Sequence, residues 1–385
     1  MVSTPIVIIG SGLAGYTLAR ELRKLDKNTP LTIITADDGI FYSKPMLSNA
    51  LAQKKQPSEL AMFSAEQMAT QLNAAIKTRT RVTAIDVPRS VVQTSDDEVE
   101  FGRLILAVGA QQGRVAMNGS AASEMVSVND LADYTAFRRK IEQAKHVALI
   151  GAGLIGCEFA NDLVSHGIKV SAIDPGAFPL NRLLQAEAGH QLQTALGKMG
   201  VEWHLGTVVE RIEHDAGRYS LLLADGRVVV TDAILSAIGL FPNVDLAKQA
   251  GLTVQRGIVV DRYLATSAPN VYALGDCIEM EGMVLPYVMP LMSQARALAQ
   301  TLSGTPTELK YPPMPVVVKT PAYPIVVAPS PPNVEVTWQM DVQETGVRVV
   351  AHDTQQRLRG FTLSGSAVSE KAALAKELVP LLGSG

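Results

Sequence analysis

The sequence has little of several features that mark common protein classes. It carries only two cysteines, Cys157 and Cys277, among 385 residues, too few for a disulfide framework and without the spacing of a metal site. Its net charge is −3, so no general affinity for nucleic acid or for a membrane surface is expected. No apolar run reaches the roughly 18 residues of a membrane-spanning helix. These absences predict a protein without a metal, nucleic-acid or membrane partner that works in a reducing cytoplasm.

The composition instead fits a globular protein with a large core. Apolar residues make up 47% of the chain and charged residues 18%, and the length favours two or three domains. The first apolar strand starts near residue 5, so we expect neither a signal peptide nor a transit peptide.

The stretch from residue 6 to residue 25 organises the rest of the chain. Four apolar, mostly β-branched residues at 6–9 predict a buried parallel strand, and a helical pattern follows the glycines. Gly10 permits a tight turn, Gly12 leaves room for a pyrophosphate, and Gly15 lets the helix pack closely. A G-x-G-x-x-G string between a strand and a helix predicts a dinucleotide site. The expected binding residues are Gly10, Ser11, Gly12, Leu13, Ala14 and Gly15.

The second strand, at residues 31–35, lacks the terminal acid that often holds the adenine ribose in such a fold. It ends in Thr35 and Ala36, and Asp37 and Asp38 come slightly late. We therefore expect Thr35 and Ala36 to contact the ribose through backbone and hydroxyl groups.

A second G-x-G-x-x-G string, at residues 151–156, follows a predicted strand at residues 146–150. Each of the two strings is called a fingerprint below. Asp174 ends the next strand, where it can accept both ribose hydroxyls and repel a 2′-phosphate. This predicts NADH over NADPH, although Lys169 and Arg182 would soften the preference. The expected binding residues are Gly151, Gly153, Leu154, Ile155, Gly156 and Asp174.

The chain repeats one arrangement. An apolar strand ending in a glycine closes each unit, at Ala107 and Gly109 and again at Gly239, and we expect these residues to border the cofactors. Two α/β dinucleotide domains, the second inserted in the first, are the simplest explanation.

Many prolines from residue 312, then alternating strands, predict a smaller third α/β domain. The predicted domains are 1–111 with 241–313, then 112–240, then 314–385.

The chain resembles the flavoproteins of the glutathione-reductase superfamily. The resemblance is carried by the two fingerprints, by the two strands that end in Gly109 and Gly239, and by Leu274-Gly275-Asp276. The resemblance covers roughly residues 5–310. It implies that the first fingerprint binds FAD and the second NAD(P)H. It also implies that Asp276 holds the ribityl chain of FAD.

A narrower resemblance is carried by residues 34–48, 151–162, 258–261, 287–292 and 314–321. These stretches resemble the NADH:rubredoxin reductases of alkane-degrading bacteria. The resemblance implies rubredoxin, a small acidic iron protein, as the partner and alkane hydroxylation as the process served. Pro45 stiffens its turn and is expected to border the same site. The further flavin contacts implied are Lys44, Val82, Glu158, Val288 and Lys319.

Lys44 and Glu158 are predicted to take part in catalysis. We expect Lys44 near flavin N5, paired with Glu158 across the nicotinamide site, and a helix N-terminus at Val288 facing the reduced flavin. The alternatives are an ordinary surface lysine and a solvated helix acid. Lys44 and Lys319 are also candidates for docking an acidic partner.

The loop after the second strand contains no cysteine: it reads Lys44-Pro45-Met46-Leu47-Ser48-Asn49. Relatives that reduce disulfides or peroxides need a cysteine beside the flavin, so here the electrons must leave to a quinone, to oxygen or to a one-electron carrier. Two hypotheses remain open. One is a reductase serving rubredoxin or a [2Fe–2S] ferredoxin of an oxygenase. The other is an NADH-binding flavoprotein with slow diaphorase activity.

Overall fold

The computed structural model describes residues 5–113, 117–331 and 333–382. Residues 114–116 of the second predicted domain, and the ends of the first and last predicted domains at 1–4 and 383–385, lie outside the described residues.

The strands are β1 (Ile6–Ile9), β2 (Leu31–Ile34), β3 (Phe41–Tyr42), β4 (Ala61–Phe63), β5 (Ala75–Lys77), β6 (Val82–Asp86), β7 (Val91–Thr94), β8 (Glu98–Glu100), β9 (Arg103–Leu106), β10 (Ala110–Gln112), β11 (Val126–Ser127), β12 (His146–Ile150), β13 (Lys169–Asp174), β14 (Val201–Leu205), β15 (Val209–Asp215), β16 (Arg218–Leu223), β17 (Val228–Thr231), β18 (Ala233–Ser236), β19 (Leu240–Pro242), β20 (Ile258–Val259), β21 (Val271–Ala273), β22 (Ile278–Glu279), β23 (Val316–Val318), β24 (Ile325–Ala328), β25 (Thr337–Gln343), β26 (Gly346–His352) and β27 (Leu358–Ser364). The α-helices are α1 (Leu13–Leu25), α2 (Ala65–Leu72), α3 (Leu131–Lys140), α4 (Leu154–Ser165), α5 (Ala186–Lys198), α6 (Asp245–Gln249), α7 (Val288–Leu302) and α8 (Lys371–Glu377). Short 3₁₀ segments span Lys44–Ser48, Pro57–Leu60, Ala122–Glu124 and Gly365–Glu370.

The first sheet is parallel, with strand order β21-β9-β1-β2-β5. All four residues of β1 are buried, because the strand lies between two neighbours and beneath helices, as its unbroken apolar sequence predicts. Its register places Ile6 beside Leu31 and Arg103. The carboxyl ends of β1, β9 and β21 therefore lie side by side at one edge, where ligands bind in such sheets.

The second sheet repeats this design in the order β11-β18-β12-β13-β14, again parallel. In the first sheet β1, which precedes the first glycine-rich turn, lies between β9 and β2. In the second sheet β12, which precedes the second glycine-rich turn, lies in the same way between β18 and β13. The short antiparallel pair of β10 and β19 joins the two units, with Ala110 opposite Pro242. This architecture confirms the predicted α/β fold with one dinucleotide unit inserted in the other.

The C-terminal sheet is antiparallel, in the order β23-β24-β27-β26-β25. One of its faces buries Phe361 and Leu363 beneath α8. The other face shares a core with the second unit, where Val318 and Val347 join residues of α4 and α5. This packing brings the segment after β23 close to α4. Among the described residues, no helix combines the length and apolar character needed to cross a membrane.

Candidate functional site

A cavity of about 460 Å³ lies where the three sheets meet. Its walls come from the first fingerprint, the 3₁₀ segment at residue 44, the start of α4, the start of α7 and the C-terminal sheet. These segments are far apart in sequence, and more than half of the predicted site residues line the cavity. Those residues are Gly12, Leu13, Ala14, Lys44, Pro45, Ala107, Gly109, Leu154, Ile155, Glu158, Gly239, Asp276, Val288 and Lys319.

The other predicted residues do not line this cavity: Gly10, Ser11, Gly15, Thr35, Ala36, Val82, Gly151, Gly153, Gly156 and Asp174. Two of these residues, Gly10 and Gly15, are glycines that the close packing of the first turn requires. A Cβ at Gly15 would lie 2.0 Å from the Gly10 carbonyl oxygen, and one at Gly10 would lie 2.3 Å from the Ala107 carbonyl oxygen. Val82 lies in β6, packed against the core of the first sheet.

The two fingerprint helices begin in a way that suits an anionic ligand. Gly12 and Gly153 are their N-cap residues, and an added Cβ at either would meet no atom within 4 Å. Neither helix has a side-chain cap or an acidic residue in its first turn. The first N–H groups of both helices thus remain available to a pyrophosphate, together with the positive end of the helix dipole. The residues therefore fit two dinucleotides.

Asp37 contacts the end of β2, where the sequence predicts that Thr35 and Ala36 meet the ribose through backbone and hydroxyl groups. Its Oδ1 accepts hydrogen bonds from the hydroxyls of Ser11 at 3.0 Å and Thr35 at 2.6 Å. The carboxylate therefore reaches back to the end of β2 from two residues further along the chain. Asp37 is exposed, and its Oδ2 makes no hydrogen bond with another described residue.

Asp174 bridges two turns of the second unit. Its Oδ2 accepts the N–H of Ala152 and its Oδ1 that of Gly176, each at 2.7 Å. Two ionised oxygens offer about four acceptor positions, so capacity remains for ribose hydroxyls. The expectation that Lys169 lies nearby is wrong: it is at the opposite end of β13, roughly 16 Å away along the strand, and pairs with Glu202 at 3.0 Å.

The predicted pairing of Lys44 with Glu158 is also wrong. The Lys44 ammonium donates to Oδ1 of Asn129 at 2.7 Å. Burial lowers the pKa of Lys44, and the charge of Asp276 opposes that shift. Burial raises the pKa of the Asp276 carboxyl, and the Lys44 charge acts in the other direction. Both groups line the cavity, and each favours the charged form of the other.

Lys319 is the true partner of Glu158. Its ammonium lies 2.7 Å from Glu158 Oε2 and donates to the Ser48 hydroxyl at 2.6 Å and to the Pro45 carbonyl. Glu158 also accepts the Ser48 hydroxyl at 2.6 Å and the Lys319 N–H at 3.1 Å. Glu158 is 2% exposed, so the alternative of a solvated helix acid fails.

Several cavity residues were not predicted from the sequence, among them Leu47, Ser48, Gln112, Asn129, Tyr287, Met314 and Lys371. The amide oxygen of Gln112 is buried without a hydrogen-bond partner among the described residues, which suits a site completed by a ligand. Ser48 was within reach of prediction, because it belongs to the loop already tied to Lys44.

Neither cysteine lines the cavity. Both are fully buried free thiols, and burial raises the pKa of both, that of Cys277 to about 12. They are therefore neutral near pH 7 and poor nucleophiles.

Two fingerprint units facing one cavity without a thiol define a reductase that uses a flavin and a nicotinamide. A model of the pyridine nucleotide-disulphide oxidoreductase family matches residues 4–300, and one of the rubredoxin binding C-terminal domain matches residues 308–378. The chain belongs to the pyridine nucleotide-disulphide oxidoreductase family. Its cofactors are FAD and NADH, as predicted.

Two relatives are similar over nearly the whole chain. The rubredoxin-NAD(+) reductase of Alcanivorax borkumensis is 45% identical over 379 residues, covering 98% of this chain and 99% of the relative. That of Acinetobacter baylyi is 46% identical over 384 residues, covering 98% of each. These similarities confirm the resemblance on which the sequence interpretation rested.

Two solved structures share the fold. The NADH:rubredoxin oxidoreductase from Clostridium acetobutylicum has a TM-score of 0.82 at 22% identity and covers 98% of this chain and 95% of its own. The ferredoxin reductase for the CYP199A2 system from Rhodopseudomonas palustris has a TM-score of 0.87 at 24% identity and covers 98% of this chain and 96% of its own.

Proposed function

We propose that the protein is an NADH:rubredoxin reductase. The carrying observation is the cavity itself, which contains no thiol and is completed by a C-terminal domain of the rubredoxin-binding type. When bound, FAD would supply the redox chemistry that links hydride donation by NADH to one-electron transfer to a carrier. The names of the relatives at 45% and 46% identity support the same acceptor.

The first fingerprint, with Thr35, Ala36, Val82, Ala107 and Gly109, serves FAD in this proposal. Asp37 holds the adenine ribose through its second oxygen, and Asp276 contacts the ribityl chain. The second fingerprint and Gly239 serve NADH, with Asp174 on the ribose. The domains follow the same division: 1–111 with 241–313 for FAD, 112–240 for NADH, and 314–385 for the partner.

The remaining cavity residues orient the reactants and exclude water. Lys44 supplies a positive charge in a poorly solvated position, which favours the accumulation of negative charge beside it. At the start of α7 there is neither a side-chain cap nor an acidic residue. The N–H groups of Val288 and Met289 therefore add to this positive potential.

The mouth of the cavity is the most suitable place for the electron carrier. Val288, Met289 and Val317 line it and are 40%, 48% and 51% exposed. Exposed apolar side chains grouped at a cavity mouth are typical of an interaction site. Lys371 lines the same cavity, and its ammonium makes no hydrogen bond or ion pair with another described residue. The mouth thus offers apolar contact and a positive charge to an acidic carrier.

The decisive experiment compares acceptors on the purified holoenzyme. We expect a yellow protein whose visible spectrum bleaches on mixing with NADH. Stopped-flow mixing with oxidised rubredoxin should then restore the spectrum much faster than mixing with a [2Fe–2S] ferredoxin. A faster reaction with ferredoxin would favour the oxygenase alternative. A slow reaction with both rubredoxin and ferredoxin would favour the other hypothesis, an NADH-binding flavoprotein with weak diaphorase activity.

We also propose that the protein acts in the cytoplasm, which suits two cysteines that are both free thiols. Supply of electrons to alkane hydroxylation stays a prediction from the resemblance. Growth of a deletion strain on an alkane, compared with growth on succinate, would test it.

A further inference from the structure

The outermost strand of the C-terminal sheet, β25, is exposed along its whole length. All seven of its residues are exposed, and among the described residues it pairs only with β26. Alternate residues of such an edge strand direct their N–H and C=O groups away from the sheet. Edge strands are commonly protected by lysine, proline or a β-bulge. β25 contains neither lysine nor proline, and its register with β26 is continuous, so its edge is open to a further strand.

The sequence of β25 has the pattern of a strand with one buried face. Trp338, Met340 and Val342, called the apolar stripe below, alternate with polar residues, which is typical of an antiparallel strand that packs on one side. Their direct neighbours on β26 are fully buried: Ala351, Val349 and Val347. The stripe itself is 45%, 42% and 51% exposed, in the same order of residues. The sequence therefore specifies a buried face that a single chain leaves half open to water.

The apolar stripe is complementary to itself. If a second copy of β25 pairs antiparallel about a two-fold axis at Met340, that residue lies opposite its own copy and Trp338 lies opposite Val342 of the second copy. On the other face Gln339 lies opposite Asp341 of the second copy, where its amide can donate to the carboxylate. Asp341 is the only charged residue of the strand, and this register keeps it away from its own copy. A one-residue slip would place apolar residues opposite polar ones.

The position of β25 argues against an electron carrier as the occupant. β23 and β25 are the two outer strands of a five-stranded sheet, and it is β23 that lines the main cavity, through Val316 and Val317. Four strand spacings separate them, which is about 19 Å. A second copy bound to β25 would therefore leave the cavity mouth free. The Gln191 amide of α5 donates to the Gln343 carbonyl at 2.8 Å, which fixes one end of β25 before any partner binds.

We propose that two copies of this chain associate through β25, so that their C-terminal sheets join into one antiparallel sheet of ten strands. The interface is isologous, because each copy contributes the same strand and the same apolar stripe. Backbone hydrogen bonds between the two edges and six apolar side chains hold it together. One strand pair is smaller than a standard protein interface, so the dimer exchanges with the monomer. This inference is independent of the proposed function.

The first test measures the mass of the FAD holoenzyme by sedimentation velocity. We expect the mass to rise from one chain towards two between about 1 and about 100 µM protein, the range in which a small interface dissociates. Met340→Lys sets two like charges opposite each other and should weaken association at least tenfold, while the NADH:ferricyanide rate stays within twofold. Val228→Lys, at a 56% exposed apolar residue of β17, is the matched control and should associate like the wild type. A wild type that stays monomeric throughout would overturn the proposal.

The same experiment distinguishes other occupants of the strand. Val342→Lys replaces Met340→Lys if that variant loses its flavin. A dimer that persists in the folded lysine variant uses another surface, and the proposal is then wrong. It is also wrong if the wild type is monomeric and Met340→Lys slows only rubredoxin reduction, because the stripe would then serve the carrier. Failure of the wild type to reduce rubredoxin would contradict the proposed function alone, since the mass measurement involves no acceptor.

A disulfide test checks the register of the pair. Directly opposite Cα atoms of antiparallel strands lie about 4.5–5.5 Å apart, within the range that a disulfide spans. Mild oxidation of Met340→Cys should therefore yield a covalent dimer on a non-reducing gel. In Trp338→Cys the two thiols would lie about 14 Å apart along the strands and should not link. The native cysteines are buried and give no background. Equal linking of both variants would indicate random collision and contradict the proposed register.

Discussion

Gly12 and Gly153 are single residues whose missing side chains keep ligand space open. Both have extended backbone angles that any residue can adopt, with φ of −61° and −74°. Neither has an atom within 4 Å of an added Cβ. The fold therefore has no need for glycine at these two positions, whereas Gly10 and Gly15 would collide with backbone. A substitution at Gly12 or Gly153 consequently tests binding rather than folding.

Gly12→Val should fold and lose FAD. The valine side chain would occupy the space against α1 where a pyrophosphate lies, and we expect FAD affinity to fall more than tenfold, which is about 1.4 kcal/mol. The flavin content after purification and the melting temperature of the apoprotein are the measurements. Gly153→Val is the matched control, which should keep FAD and weaken NADH. Full flavin in Gly12→Val would mean that the first fingerprint does not hold FAD.

Asp174→Ala should narrow the preference for NADH over NADPH. Removing the carboxylate loses the ribose contact and also the repulsion of a 2′-phosphate, so kcat/KM should fall more for NADH than for NADPH. The ratio of the two kcat/KM values is the readout, with flavin content as a check on folding. Lys169→Ala, at the far end of β13, should leave the ratio unchanged. If kcat/KM falls equally for NADH and NADPH, Asp174 only stabilises the turns at Ala152 and Gly176 and does not contact the ribose.

The buried thiols should prove dispensable. Cys157→Ser with Cys277→Ser removes both sulfurs and keeps small side chains that can donate to the same carbonyls. We expect the rate of NADH:rubredoxin electron transfer to stay within about tenfold, or ~1.4 kcal/mol of barrier. A larger loss of this rate in a folded, flavin-loaded variant would show that a thiol takes part in electron transfer.

At the scale of elements, one ion pair ties three segments together. Ser48 ends the 3₁₀ segment of the first unit, Glu158 lies on α4 of the second, and Lys319 follows β23 of the C-terminal sheet. A carboxylate buried in this way is stable only while its charge is compensated, because desolvation of an unpaired ion is costly. This contact therefore fixes the relative positions of the three units as well as the shape of the cavity.

Lys319→Met should destabilise the protein by roughly 3–5 kcal/mol, the usual cost of leaving a buried charge unpaired. The free energy of unfolding from a urea titration is the measurement. Lys319→Met with Glu158→Gln should recover much of the loss, since no unpaired charge remains. Arg262→Met breaks the exposed pair with Glu281 and should cost less than about 1 kcal/mol. Equal losses in Lys319→Met and Arg262→Met would show that the buried pair adds no special stability.

The elements were easier to predict than the contacts between them. Glycine spacing between a strand and a helix is local information, so Gly12 and Gly153 were placed correctly. The partner of Glu158 depends on how the C-terminal sheet packs against α4, across 161 positions of sequence, and no local pattern reports that. The resemblance implies flavin contacts at both Lys44 and Lys319, and it does not say which of the two lysines pairs with Glu158. Asp37 comes slightly late for a strand-end acid, and the sequence does not report the turn that brings its carboxylate back to Ser11 and Thr35.

For the whole molecule, the distribution of charge matters more than its sum. The chain is net acidic at −3, yet its proposed partner is acidic too, so docking requires a local positive area. Lys44 and Lys319, the candidates from the sequence, already donate to Asn129 and to Ser48 and Glu158. Of the lysines that line the cavity, Lys371 alone has no partner among the described residues. It lines the same cavity as the exposed Val317.

We therefore predict that kcat/KM for rubredoxin falls steeply with salt, because the Debye length shrinks from about 10 Å at 0.1 M to about 3 Å at 1 M. Lys371→Gln should lower kcat/KM several-fold at low salt and flatten its salt dependence. Lys376→Gln, on the same helix but outside the cavity lining, should behave like the wild type. Menadione, an uncharged acceptor, should show little salt dependence in all three proteins. If the wild-type rate with rubredoxin is flat across this range, association is governed by the apolar contacts of Val288, Met289 and Val317 rather than by charge.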